Sequence, residues 1–180
     1  MTTVALLLGS LRADSVNRKI AELLRDEAPA GVEVRILEGL AELPFYNEEL
    51  DGAEVPAGVA ALRDAVASAD RVLAVTPEYN GTMPAVLNNA IDWLSRPYGA
   101  GAIKGKLFGV LGAAPTPYGA KWSHADAARS AGIAGALVVE DVTVSQSTLE
   151  VDPVTDEATR TKLLDALQRL VDADAETLAA

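Results

Sequence analysis

The 180-residue chain contains no cysteine and a single histidine. The first absence excludes a disulfide framework, a thiolate nucleophile, a cysteine-ligated zinc and an iron–sulfur cluster. The second leaves His124 without a companion imidazole for a metal site. Any redox chemistry therefore has to come from a bound group. Positive charge is also scarce: the formal net charge of −11 repels nucleic acid and anionic membranes at long range and argues against both as partners. No G-x-G-x-x-G follows the first apolar run, and no G-x-x-x-x-G-K-[ST] occurs, because Gly105-Lys106 is followed by Leu107 and lacks the upstream glycine. A dinucleotide-binding Rossmann site and a P-loop are thereby disfavoured. The apolar run at 4–8 is too short for a membrane span and has no positive residue before it. It reads as a buried first strand rather than a secretion signal, which places the protein in the cytoplasm.

What the chain does contain is apolar runs alternating with helical patterns. At 49% apolar residues, 1–180 is long enough to bury a sizeable core as a single domain. Runs at 4–8, 32–37, 72–76, 107–111 and 136–144 read as strands apolar on both faces. Helical patterns occupy about 16–28, 57–69, 84–95 and 123–131, and a last one at about 156–175 carries a stripe of Leu163, Leu167, Leu170 and Val171. The alternation predicts an α/β fold, a parallel sheet with helices on both faces. Five strands separated by helices fit the order 2-1-3-4-5, whose ligand site lies outside the carboxyl ends of strands 1 and 3. The connection at 38–58, with Leu43-Pro44-Phe45-Tyr46-Asn47, reads either as a border of that site or as a packed surface crossover.

Two polar loops follow strands 1 and 3. In the first, Gly9 to Asn17, Ser10, Ser15 and Asn17 supply neutral donors and Arg12 a positive charge, ahead of a helix pattern carrying Ile20, Leu23 and Leu24. With the outward N–H groups of a first helical turn, these suit a phosphate, although the same residues would serve an ordinary helix start capped by Asp14 or Ser15. The second, Thr76 to Pro84, is stiffened by Pro77 and Pro84, and offers Tyr79 and Asn80 for stacking and hydrogen bonding and Gly81 with no Cβ to obstruct a planar ligand. Alone it would equally read as a helix-entry turn.

The motif G-S-L-R-x-x-S-x-N at 9–17, together with P-E-Y-N-G-T-x-P-x-x-L-x-N-A-I-D-W at 77–93, resembles the flavodoxin-like NADPH-dependent FMN reductases, which include quinone, azo-dye and chromate reductases. The resemblance spans roughly the whole chain. It implies a flavodoxin-like three-layer sandwich around a five-stranded parallel sheet, FMN as cofactor and NADPH or NADH as co-substrate. Hydride would pass from the nicotinamide to FMN and on to a quinone-like, azo or other small acceptor, with no catalytic side chain required. It further implies phosphate contacts from Ser10, Arg12, Ser15 and Asn17 and ring contacts from Pro77, Glu78, Tyr79, Asn80 and Gly81. A third loop at 112–119 would supply Ala114, Thr116, Tyr118 and Gly119. There the match is weaker, since relatives commonly carry serine in place of Ala114 and a glycine pair in place of Tyr118-Gly119-Ala120. Leu87-Asn88-Asn89-Ala90 likewise replaces the common L-K-N-A. A homodimer, or a dimer of dimers, is implied as well, with the helix carrying Trp93 against its counterpart.

Remaining residues refine these expectations. Pro115 and Pro117 have no N–H, which leaves Ala114, Thr116, Tyr118 and Gly119 to stabilise charge gained on reduction. A carboxylate beside such a ring would oppose its reduction, so Glu78 is expected to point away as a structural hydrogen-bonding group. His124 is expected in a first helical turn next to a Ser123-x-x-Asp126 cap, with a substrate contact as the other reading. Trp93 and Trp122 read as packing or interface residues. The pairs Glu48-Glu49 and Glu140-Asp141 read as solvated charge, with no metal site. The rival from another class is a flavodoxin-like electron carrier or flavin-binding regulatory protein without turnover of its own, whose T-x-T-G-x-T loop is not matched at 9–17. A phosphoacceptor receiver is disfavoured because Gly9-Ser10 and Thr76-Pro77 stand where it needs acidic residues.

Overall fold

The computed structural model describes residues 1–52 and 54–178. Strands β1 (Thr2–Leu8), β2 (Val32–Leu37), β3 (Arg71–Val75), β4 (Leu107–Ala114), β5 (Leu137–Val138) and β6 (Val144–Ser147) form one parallel sheet in the order β2-β1-β3-β4-β5, with β6 also paired to β4. Helices α1 (Val16–Asp26) and α5 (Glu157–Asp172) cover one face, and α2 (Ala57–Ala67), α3 (Ala85–Leu94) and α4 (Lys121–Ile133) the other. A short α6 (Ala175–Leu178) follows. The alternation of β1 shows why its apolar run is unbroken. Val4, Leu6 and Leu8 enter a core with Ile20, Leu24, Leu163 and Leu167, while Ala5 and Leu7 enter a second core with Val59, Leu87, Trp93 and Ala127. Truncating Leu6 or Leu7 to alanine would cost about 2–5 kcal/mol.

The fifth strand departs from expectation. In place of one run over 136–144, β5 is interrupted by a 3-10 turn at Glu140–Val142 before β6 resumes beside β4. Gly109 makes the interruption possible: a Cβ there would lie 2.5 Å from Cγ1 of Val142, so its bare backbone leaves room for the chain to rise over β4. β4 itself continues to Ala114, so Gly112, Ala113 and Ala114 belong to a strand paired with β6 rather than to a loop.

Where it is described, at 38–52 and 54–56, the connection to α2 is a packed crossover containing 3-10 turns at Leu40–Glu42 and Glu48–Leu50. Asn89 on α3 accepts from the Tyr46 amide at 2.8 Å and donates to the Pro44 carbonyl at 3.0 Å, and Trp93 Nε1 donates to the same carbonyl at 2.8 Å. Trp93 is fully buried, with Tyr46 edge-on at 4.9 Å and the Arg63 guanidinium over its ring at 5.6 Å, whereas Phe45 is exposed. At the amino end of β3, Arg71 donates to the carbonyls of Leu170, Val171 and Ala173, capping the last turn of α5. That helix stops at Asp172, short of the expected 175. Among the described residues no helix is long and apolar enough to cross a membrane.

Candidate functional site

The carboxyl ends of β1, β3 and β4 meet at three close contacts. The Gly9 amide donates to the Val75 carbonyl at 2.9 Å and the Thr76 amide to the Leu111 carbonyl at 3.0 Å. A Cβ on Gly112 would lie 2.2 Å from the Thr76 carbonyl oxygen and 2.7 Å from Asn17 Oδ1. This packing brings the loops at 9–15, 76–84 and 115–119 to one end of the sheet.

In the first loop Ser15 is the N-cap of α1, its hydroxyl accepting from the Asn17 amide at 3.2 Å. The amides of Ser10, Leu11, Arg12, Ala13 and Asp14 donate to no backbone carbonyl among the described residues. Arg12 is exposed and enters no ion pair among them. Ser10 is buried and lines a hollow of about 180 Å³ with Leu11, Arg18 and Glu38. Free amides in the loop leading into a helix N-terminus, beside an unpaired guanidinium, fit a phosphate monoester such as that of FMN. Asn17 has a different engagement: its carboxamide donates to the Ala113 carbonyl at 2.9 Å and accepts from the Ala113 amide at 2.8 Å. It is a strut between α1 and β4, and only its second Nδ2 hydrogen is left for a phosphate.

In the second loop Tyr79 and Thr82 exchange both backbone hydrogen bonds, at 3.0 and 3.1 Å. The two residues between them, Asn80 at φ 54° and Gly81 at φ 73°, both lie in the left-handed region, as a type I′ turn requires. Gly81 is thus demanded by turn geometry, and the space about its Cβ position is open within 4 Å. Tyr79, Asn80 and Gly81 are exposed, Pro77 is buried, and the Glu78 side chain turns toward α4.

That helix starts two residues earlier than the sequence suggests. Ala120 occupies its N-cap and offers no side-chain acceptor. Instead Glu78 Oε2 accepts from the amides of Trp122 at 2.9 Å and Ser123 at 3.2 Å, placing a carboxylate at the positive end of the helix. Ser123 does not cap; its hydroxyl donates to the Pro77 carbonyl at 2.8 Å. Asp126 accepts from the Thr82 hydroxyl and pairs with Arg129 at 2.6 Å, and these two donors, the hydroxyl first, lower its pKa. His124 is buried, with Nε2 3.4 Å from the Thr76 carbonyl and Nδ1 2.8 Å from the Ser145 hydroxyl. A carbonyl only accepts, so Nε2 carries the hydrogen and Nδ1 accepts from Ser145. Desolvation pushes its pKa down to about 4, against a smaller opposing effect of the Thr76 carbonyl. His124 also lines a cavity of about 530 Å³ at the sheet edge, with Lys121, Arg129, Val138 and Glu140.

The third loop is shorter than expected, beginning at Pro115. Its Gly119 amide donates to the Thr116 carbonyl at 3.1 Å and the Thr116 hydroxyl to the Gly119 carbonyl at 2.8 Å. With Pro115 and Pro117 lacking N–H, Thr116 and Tyr118 carry the loop's uncommitted amides. Ala114 is buried at the end of β4, and the exposed Tyr118 stacks edge-on against exposed Trp122 at 4.9 Å. Among the described residues no group of three or more His, Asp or Glu could hold a metal ion.

Residues 2–149 match the family model for NADPH-dependent FMN reductase. A quinone reductase of Pseudomonas putida is 43% identical over 117 residues, covering 65% of this chain and 62% of that protein. A quinone reductase of Escherichia coli K12 is 48% identical over 94 residues, covering 52% of this chain and 50% of that protein. The chain thus spans between half and under two thirds of the length of these curated relatives. The solved structure of FerB, a flavoenzyme NAD(P)H:(acceptor) oxidoreductase from Paracoccus denitrificans, superposes with a TM-score of 0.87 at 35% identity, covering 98% of each chain.

Proposed function

The chain belongs to the NADPH-dependent FMN reductase family, and from that membership we propose that it is an FMN-dependent NAD(P)H oxidoreductase acting on quinones or similar small acceptors. The observation that carries this reading is the row of free amides at 10–14, beside unpaired Arg12 and Ser15, at the same sheet end as the exposed Tyr79–Thr82 turn. When bound, FMN supplies the redox chemistry, taking a hydride from NADPH or NADH and giving electrons to the acceptor. The protein's part is positional. Arg12, Ser10 and the loop amides hold the phosphate, Ser15 fixes the helix start, and Tyr79, Asn80 and Gly81, stiffened by buried Pro77, present an edge to the ring. Thr116 and Tyr118 offer amides toward charge gained on reduction. The same reading takes 1–180 as one domain and the active form as a homodimer in the cytoplasm, formed along the outer side of α3 where Ala85 and Asp92 are exposed. Neither nucleic acid nor membrane is a partner, in keeping with a charge of −11.

The test is a spectrum of the protein after FMN is added and the excess removed, followed by anaerobic mixing with NADPH. Retained yellow colour that NADPH bleaches and a quinone restores is the expected outcome. Colour that NADPH cannot bleach would make the protein an electron carrier, and no flavin binding at all would refute the site assignment.

A further inference from the structure

The loop after β3 and the amino end of α4 are joined by more contacts than a helix cap needs. Besides the two amides held by Glu78, the Ser123 hydroxyl reaches the Pro77 carbonyl, His124 faces the Thr76 carbonyl and Asp126 takes the Thr82 hydroxyl. Thr76, Pro77, Glu78 and Thr82 are thus each fastened to one turn and a half of a single helix. The residues immediately before that turn are the loop at 115–119, closed by its own Thr116–Gly119 hydrogen bonds. One helix end therefore carries one loop covalently and holds the other by hydrogen bonds. Nothing within α4 can replace the cap, because Ala120 has no side-chain acceptor.

We propose that Glu78 is a positioning residue: by capping α4 from outside, it makes the loops at 76–84 and 115–119 a single body. That this body borders a flavin rests on the flavin reading above; the joining of the loops does not. The carboxylate acts through α4 and is directed to the helix amides, where a negative charge is favourable. The acceptor oxygen matters more than shape, so Glu78→Gln keeps a group able to accept from Trp122 and Ser123, and Glu78→Ala does not.

The experiment compares wild type, Glu78→Ala, Glu78→Gln and Ser123→Ala by amide hydrogen exchange without flavin, and by quenching of FMN fluorescence. In Glu78→Ala, exchange is expected to rise roughly tenfold or more together at Tyr79, Thr82 and Gly119, amides that Glu78 does not touch. FMN affinity should fall about tenfold, the scale of one lost charge-assisted hydrogen bond. Glu78→Gln should lie nearer wild type on both measures. Ser123→Ala, which leaves the carboxylate in place, should loosen Tyr79 and Thr82 to a smaller degree, and it carries the test if Glu78→Ala does not fold. Faster exchange confined to Trp122 and Ser123 would reduce Glu78 to a simple cap and overturn the proposal, as would a Glu78→Gln variant no better than Glu78→Ala. A wild-type protein that fails to quench FMN would sink the flavin reading while the exchange pattern still decides the joining of the loops.

Discussion

Arg12 is exposed and free of any carboxylate among the described residues, so its removal should touch binding and little else. Arg12→Ala is expected to weaken FMN binding by about 1.5–3 kcal/mol, the range for a hydrogen bond to a charged group, with an unchanged melting temperature; equal FMN affinity would take Arg12 out of the phosphate site. His124 gives a prediction of a different kind. Its folded pKa of about 4 lies below the unfolded 6.5, so the unfolded chain binds the extra proton first as pH falls. Its contribution to stability is therefore complete above pH 6.5 and is lost on acidification toward 4, by about 3 kcal/mol at 1.4 kcal/mol per pH unit. Urea unfolding at several pH values should show this slope, and His124→Asn should flatten it. At this scale the sequence is a partial guide. Gly81 stands out there for its missing Cβ; the structure adds the positive φ of an Asn-Gly turn, which is local and therefore legible in principle. The engagements of Asn17 with Ala113 and of Glu78 with Trp122 span 96 and 44 residues, and no local pattern announces such partners.

Between elements, the Asn17 strut joins the first turn of α1 to the end of β4 through both polar atoms of a buried carboxamide. Asn17→Ala would leave the Ala113 N–H and C=O unpaired in a dry site and should lower stability by about 2–4 kcal/mol. Asn17→Asp, which turns an oxygen toward the Ala113 carbonyl, should be no better; thermal unfolding of both variants checks this, and two wild-type melting curves would refute the strut. The helices were readable from their periodic apolar stripes and the first four strands as contiguous apolar runs. What escaped was decided elsewhere in the chain. α4 starts early because Glu78, far away in sequence, caps it, and the fifth strand breaks because Gly109 on its neighbour leaves a space that Val142 fills. A missing side chain on one strand carries no mark in the sequence of the next.

For the whole molecule, the order β2-β1-β3-β4-β5 is one that alternating apolar runs and helices fit, and it places β1 beside β3 and so brings the loops after them together. Net charge is the other property of this scale. At −11 the protein repels NADPH, itself an anion, so association should quicken severalfold as ionic strength rises and the screening length falls from about 30 Å to about 8 Å. Stopped-flow flavin reduction measures this, with a neutral quinone as the insensitive control, and slower association in salt would mean that a local cluster of cations governs entry. Arg71 adds a consequence of shape. By clamping the last turn of α5 to the amino end of β3, it places residue 173 at the pole of the sheet opposite the three loops, the pole from which β1 also departs. A tether attached through either the first strand or the end of α5 would therefore hold the molecule with the three loops facing outward, so that a surface-bound layer of the protein should remain open to diffusing substrates.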